Sequence, residues 1–292
     1  MPAADGPDFI CIGMQKAGTD WLYDQLQFHP DLWMPPMKEI RYLDRDITLA
    51  RRASKILKNA REDSKQHQNR LSRRRAWDDR DMAFMEQVVS YKGDPMDLER
   101  YASLFGYKGT LKSGDVTPGY SALREEVIAQ IAQRFPDVRV VFLLRDPIAR
   151  AWSQISMAHR NDRFDVSLLD DLQAFGAFLK TSDDLERVGY PTRIAGRWKR
   201  NAPAEMFRHF FFDDIANDAA GVRREILTWI GADPEKSSGE LAADHNKKSG
   251  TKKLELTPDI RDVLIDHFRA EILSCAEMFS GHAKTWVTNY GL

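Results

Sequence analysis

The sequence predicts an α/β fold of three layers, with a central and mainly parallel sheet flanked by helices. Three observations carry this expectation. A short apolar run, Phe9–Ile12, closes at Gly13 and leads through a turn into a helical segment, Trp21–Leu26. The clearest buried-strand pattern, Val138–Leu144, runs into Arg145-Asp146-Pro147, where Asp146 can cap a helix and Pro147 can occupy its first position. Strand-like and helix-like segments then alternate, as parallel strands require when each crossover carries a helix.

The remaining elements follow in chain order. His29-Pro30 ends the first helix, and Leu32–Pro36 reads as a second short extended piece. From about residue 45 to 100 the chain carries a charged, mostly helical insertion. It contains Arg51-Arg52 and Arg73-Arg74-Arg75, with Trp77, Phe84 and Met85 available for one packed face. The arginine runs read either as a solvated helix face or as a patch for an anionic acceptor. Thr110–Asp115 and Phe207–Phe212 are further strand candidates, and Glu125–Arg134 and Val222–Ile230 further helices. Thr257-Pro258 opens a late helix, with Ile260, Val263, Leu264, His267 and Phe268 at helical spacing. The 292 residues, with no evident internal repeat, fit one domain over 1–292.

Composition excludes several classes. With 42% apolar and 30% charged residues, wholesale disorder is not expected. The 43 basic residues nearly cancel the 44 acidic ones, which argues against a nucleic-acid binder acting through bulk charge. Cys11 and Cys275 form no disulfide framework and are expected to be reduced. No basic leader and no run of about 20 apolar residues is seen, so a cytoplasmic protein without a membrane span is expected. Oligomeric state leaves no trace in the sequence.

Gly13-Met14-Gln15-Lys16-Ala17-Gly18-Thr19 joins a buried strand to a helix. Such a turn points backbone N–H groups into one concavity at the positive end of the helix. Gly13 and Gly18 would let the backbone approach a phosphate, and Lys16 adds a full charge. No Gly-Lys-[Ser/Thr] closes the turn, so it is not a Walker A loop. Read alone, it could equally be a plain strand–helix turn with a surface lysine.

Three motifs in order make the reading specific. Lys16-Ala17-Gly18-Thr19-Asp20-Trp21-Leu22 resembles the 5′-phosphosulfate loop of the sulfotransferases that use PAPS (3′-phosphoadenosine 5′-phosphosulfate). Lys38-Glu39-Ile40-Arg41-Tyr42-Leu43 is similar to the Lys-Glu-x-x-Phe-Phe stretch of the carbohydrate- and heparan-sulfate-type branch. Arg145-Asp146-Pro147, with Arg150 and Ser153 following, resembles the family's 3′-phosphate motif. Asp20 stands where the family has a hydroxyl residue, and Val116 where it has a lysine.

The resemblance implies a P-loop-like fold and transfer of a sulfuryl group from PAPS, leaving PAP, to a hydroxyl or amine, with no metal. Acceptors would be carbohydrates, glycolipids or small molecules. It implies that Lys16, Ala17, Gly18, Thr19 and Trp21 hold the 5′ end of the donor, and that Arg145 and Ser153 hold the 3′ phosphate. The basic loop His245–Lys253, through Lys247, Lys248, Thr251 and Lys252, would cover the nucleotide. Glu39 would be the base, with Lys16 and Lys38 as catalytic cations, and Glu39, Arg41, Asp115 and Tyr120 would face the acceptor. Apart from the family, Lys38-Glu39 is an ordinary surface pair, Arg145 a strand-end ion-pair residue and Asp115 a turn cap. Two other functions fit parts of the pattern: a P-loop-related small-molecule kinase, and a non-catalytic PAP-binding protein.

Overall fold

The computed structural model describes residues 6–44, 48–62, 75–91, 96–236, 241–245 and 254–292. Strand β1 (Phe9–Gly13) is buried along its whole length, and helix α1 (Thr19–Leu26) follows it. The charged region contributes α2 (Leu49–Arg61) and α3 (Asp79–Val89), and a short α4 (Leu98–Ser103) leads to β2 (Gly114–Val116). Helix α5 (Glu125–Arg134), strand β3 (Arg139–Leu144) and helix α6 (Pro147–Arg160) form the next crossover. Helices α7 (Leu172–Thr181), α8 (Asp183–Val188) and α9 (Pro191–Asn201) precede β4 (Phe207–Phe211). The chain then passes through α10 (Phe212–Asn217), α11 (Ala219–Trp229), α12 (Pro258–Phe279) and α13 (His282–Tyr290).

The four strands form one parallel sheet in the order β2-β1-β3-β4, flanked by helices. Apolar runs without polar alternation, such as Phe9-Ile10-Cys11-Ile12 and Val140–Leu144, suit strands covered on both faces. The order has a consequence for function. After β1 the chain departs to one side of the sheet, and after β3 to the other. The loops beyond the carboxyl ends of these neighbours therefore part and leave a crevice, the usual ligand position in open parallel sheets.

Several expected boundaries move, each for a physical reason. Leu32–Pro36 contributes a single bridge, Leu32 to Lys112, because Pro35 and Pro36 have no N–H to extend a ladder. The strand expected over Thr110–Asp115 begins at Gly114 and runs to Val116, with Lys112 ahead of it paired only through that bridge. The strand expected to reach Phe212 stops at Phe211, since Phe212 opens α10. Helix α11 begins at Ala219, ahead of the expected Val222, because the Asp218 carboxylate accepts from the Gly221 N–H at 2.9 Å.

The charged region is tied to the core. Leu49, Ala53 and Leu57 of α2 and Phe84, Met85 and Val88 of α3 join the same hydrophobic cluster as the sheet. Its arginines fit neither expected role alone. Arg75 makes a bidentate pair with the fully buried Asp81 (2.5 and 2.6 Å), which also accepts from Trp33 Nε1 at 3.0 Å. Arg52 reaches back to the Glu39 carbonyl at 2.6 Å. Arg73 and Arg74 lie outside the described residues.

Cys11 and Cys275 are free and buried, and burial pushes both thiols up, that of Cys11 to about 12. Among the described residues no helix is long and apolar enough to cross a membrane.

Candidate active site

The loop from Met14 to Gly18 is held at both ends. The Met14 N–H donates to the Leu143 carbonyl of β3 at 2.8 Å, and the Ala17 N–H donates to the Met14 carbonyl at 3.2 Å. Gly13 has φ +120°, and a Cβ there would meet the Pro118 carbonyl oxygen at 3.0 Å. Gly18 has φ +97°, and a Cβ there would lie 3.2 Å from the Phe212 ring. The first turn of α1 has no capping side chain, so its amides face the crevice beyond the strand ends.

That crevice is a cleft of about 570 Å³. Lys16, Gly18, Thr19 and Trp21 line it from the first loop, Lys38 and Glu39 from the second, and Arg145 and Ser153 from the β3–α6 junction. Sequence segments separated by more than a hundred residues thus converge on one cavity. Ala17 is fully buried behind the loop.

Arg145 is fixed by two contacts. Its Nη1 donates to the Lys16 carbonyl at 2.7 Å, and its guanidinium lies 4.5 Å from the centre of the Phe212 ring. Burial lowers its pKa, while Asp146, Asp213 and Tyr290 oppose that shift, and an arginine so placed stays charged. Asp146 caps α6 as the sequence predicts, accepting from the Ile148 and Ala149 N–H groups at 2.8 and 3.4 Å. Its other oxygen accepts from the Tyr290 hydroxyl, so the C-terminal helix braces the residue beside Arg145.

Glu39 and Arg41 sit in a strained turn, with φ +59° and +61°; Lys16 has φ +71°. Left-handed backbone at non-glycine residues is uncommon, and it persists here because neighbours fix it. The Glu39 N–H donates to the Val116 carbonyl at 3.3 Å, and its carbonyl accepts from Arg52. The Arg41 N–H donates to Thr117 Oγ1 at 3.4 Å, and its side chain pairs with Asp44. Lys38 forms an ion pair with Asp20, stands 3.7 Å from Glu39 Oε1, and reaches Thr19 Oγ1 at 3.5 Å.

The far wall of the cleft is the segment 241–245. Trp21 Nε1 donates to the Ala243 carbonyl at 2.6 Å and Gln25 Nε2 to the Ala242 carbonyl at 2.9 Å, which brings Asp244 and His245 to the lining. Lys247, Lys248, Thr251 and Lys252 lie outside the described residues.

Asp115 and Tyr120 do not reach the cleft, contrary to the expectation that they face the acceptor. Both are buried, and the Asp115 carboxylate accepts hydroxyl bonds from Tyr120 (2.6 Å), Thr117 (2.7 Å) and Tyr101 (3.2 Å). Burial raises the Asp115 carboxyl to about 6 despite those three donors. This is a structural knot behind β2.

Sequence reasoning missed Phe212, Met157, Arg160 and Asp244 on the cleft wall, and Arg52 behind Glu39. Phe212 was within reach, since it follows the carboxyl end of a parallel strand, where ligands sit. Arg52 was not, because a run of arginines carries no sign of which carbonyl one of them meets. Among the described residues no group of three or more His, Cys, Asp or Glu is arranged to hold a metal ion.

The arrangement presents cations from two adjacent strand ends together with the carboxylates of Asp20, Asp24, Glu39 and Asp244 in the same cleft. No curated protein matches the sequence. Among solved structures, a sulfotransferase from Alicyclobacillus acidocaldarius superposes with a TM-score of 0.64 at 18% identity, covering 96% of this chain and 98% of that one. Sulfotransferase STF9 from Mycobacterium avium superposes with a TM-score of 0.51 at 16% identity, covering 94% and 77%. At such identities the likeness establishes the fold. The family model described as the sulfotransferase family matches residues 7–236, most of the sequence and every described motif up to the segment that closes the cleft. On that match the chain belongs to the sulfotransferase family.

Proposed function

We propose that this sulfotransferase moves a sulfuryl group from PAPS to an acceptor hydroxyl by direct in-line displacement. One observation carries the reading: Lys16 and Arg145, at the ends of neighbouring strands, line one cleft together with Glu39. The nucleotide would lie across the crevice, its 5′ phosphosulfate on the loop before α1 and its 3′ phosphate at Arg145 and Ser153.

Sulfuryl transfer resembles phosphoryl transfer, so positioning and charge stabilisation do most of the work. The sulfur–oxygen bond to the 5′ phosphate breaks as the acceptor oxygen bonds to sulfur, and the electron pair leaves with PAP. Lys16, Lys38 and the amides at Gly18 and Thr19 would stabilise the charge growing on that phosphate. Glu39 would take the hydroxyl proton. The step forms no covalent enzyme intermediate and uses no metal. The likeness of the Glu39 segment to the carbohydrate-type branch favours a sugar or glycolipid hydroxyl, and a hydroxylated metabolite or lipid is the other acceptor class. The buried thiols suit a reducing compartment such as the cytoplasm.

The test pairs binding with transfer. PAP should bind and raise the melting temperature, and labelled sulfate from PAPS should appear on an acceptor in a screen of sugars, lipids and hydroxy acids, with chelators having no effect. Stabilisation by ATP and Mg²⁺ without any by PAP would favour a kinase. PAP binding without transfer to any acceptor would favour a non-catalytic nucleotide-binding protein.

A further inference from the structure

Glu39 stands between two cavities. Beyond the cleft a second cavity of about 350 Å³ opens, and the two share Gln15, Glu39, Pro118 and Met157 on their walls. A ligand in the second cavity has direct access to the Glu39 carboxylate.

One part of this second cavity is apolar, formed by Ile155, Phe178, Leu185 and Val188. The polar part consists mainly of donors. Gln154 is 7% exposed, and its Oε1 accepts from the fully buried Arg150 at 2.6 Å. That bond leaves the Gln154 amide nitrogen as the end available to a ligand. Arg150 is itself short of partners, with Nε and Nη2 buried and unbonded, and burial lowers it to about 10.

Arg163 and Arg187 also line this cavity, and neither has an ion-pair partner among the described residues. Arg163 is placed by the end of α6. Asp162 adopts φ +54° there, and the Arg163 N–H donates back to the Ala158 carbonyl at 2.9 Å. Arg187 belongs to the last turn of α8. The third arginine on the wall, Arg41, is neutralised by Asp44 at 2.8 Å. The acidic lining groups are Glu39, 3.7 Å from Lys38, and Asp184 on the same helix as Arg187. Lys38 is already paired with Asp20, so the wall carries the two guanidiniums of Arg163 and Arg187 against the carboxylates of Asp184 and Glu39, Glu39 lying on the side shared with the cleft.

Guanidinium groups bind carboxylates, sulfates and phosphates through paired hydrogen bonds. We propose that the second cavity is the acceptor site and that it selects a small-molecule alcohol bearing an acidic group. The acid is held by Arg163 and Arg187, the apolar body rests on Ile155, Phe178 and Leu185, and the hydroxyl faces Glu39. The inference rests on the sulfotransferase reading above. The acid stays unchanged in the reaction, while the hydroxyl oxygen gains the sulfuryl group and its proton passes to Glu39.

Calorimetric titration of the PAP-loaded protein tests this with three matched pairs: hydroxyphenylacetate and hydroxydecanoate beside their methyl esters, and glycerol phosphate beside glycerol. At least one acid should bind about tenfold or more tightly than its neutral partner, on the order of one charge-assisted contact. The pair that shows the effect tells carboxylate from phosphate. The preference should fall to within about twofold in the double variant Arg163→Ala/Arg187→Ala and survive in part with lysine at both positions. Both residues are exposed, so the variants should fold, and an unchanged PAP affinity will show it. The proposal is overturned if no acid outbinds its neutral partner, or if the preference persists in the double alanine variant. Failure of the wild type to bind PAP would instead remove the sulfotransferase reading beneath it.

Discussion

The Arg145 guanidinium donates through Nη1 to the Lys16 carbonyl at 2.7 Å, linking the ends of β3 and β1 across the crevice between them. The side chain assigned to one phosphate thereby fixes the backbone of the loop assigned to the other. The same guanidinium stacks on Phe212, so its plane has little freedom. Arg145→Ala is expected to weaken PAP binding by about 10- to 100-fold, the range for losing hydrogen bonds to a charged group. Arg145→Lys should recover little, because an ammonium lacks the planar fork that stacks and donates at once. Equilibrium titration with PAP reads both. A loss confined to the acceptor KM would move Arg145 out of the nucleotide site.

Asp20 explains how a carboxylate tolerates the position where relatives carry a hydroxyl. It is paired with Lys38, whose side chain is only 10% exposed, and so the anion is compensated from within the cleft. The same pairing occupies a cation that the donor's phosphosulfate would otherwise claim. Asp20→Ser should therefore tighten PAP binding by about fivefold, a partly buried ion pair being worth on the order of 1 kcal/mol. Weaker binding in the variant would mean that Asp20 holds Lys38 in place for the donor and does not compete with it.

The strong elements of the fold were legible because they are over-determined. Val140–Leu144 is apolar on every residue, and Asp146-Pro147 starts a helix by two independent signals. Short pieces were less legible. Nothing local says that Gly114 begins a ladder, and Pro35-Pro36 blocks one at Leu32 only when the neighbour's geometry is known. In the cleft, Lys16, Glu39 and Arg145 stood out through motif order. The contacts that aim them, from Arg52, Phe212 and the Lys38–Asp20 pair, span residues far apart in sequence, which local spacing does not encode. Asp115 misled because one hydroxyl from another segment, that of Tyr101, joins those of Thr117 and Tyr120 in the turn after it to hold the carboxylate inward.

Glu39 should behave as a base and not as a nucleotide ligand. Glu39→Gln keeps the shape of the turn but cannot accept the acceptor's proton, so kcat is expected to fall by about 10²- to 10⁴-fold. PAP affinity should stay within about twofold. Arg52→Ala offers a milder companion, since Arg52 holds the Glu39 carbonyl from behind the cleft. It should lower kcat by less, through loss of positioning, with the pH profile of kcat broadened or shifted. Single-turnover kinetics separates these cases, and an unchanged kcat in the Glu39 variant would require another base.

Asp115 makes a prediction about stability that is independent of catalysis. Its carboxyl is raised from 3.8 to about 6 by burial, so the folded state holds the proton more tightly than the unfolded chain. A raised acid contributes stability that is complete below its unfolded value and is lost as pH rises through its folded value. A shift of two units corresponds to about 3 kcal/mol, withdrawn between about pH 4 and pH 6. Asp31 and the exposed Asp78 and Glu99, whose values are lowered, act in the opposite sense, so the wild-type curve alone is not diagnostic. The difference from Asp115→Asn isolates the group, because an amide does not titrate. Urea unfolding should show the asparagine variant gaining on the wild type by about 2–3 kcal/mol between pH 4 and pH 7. A difference that stays flat with pH would show that the hydroxyls of Tyr101, Thr117 and Tyr120 keep the carboxylate ionised throughout.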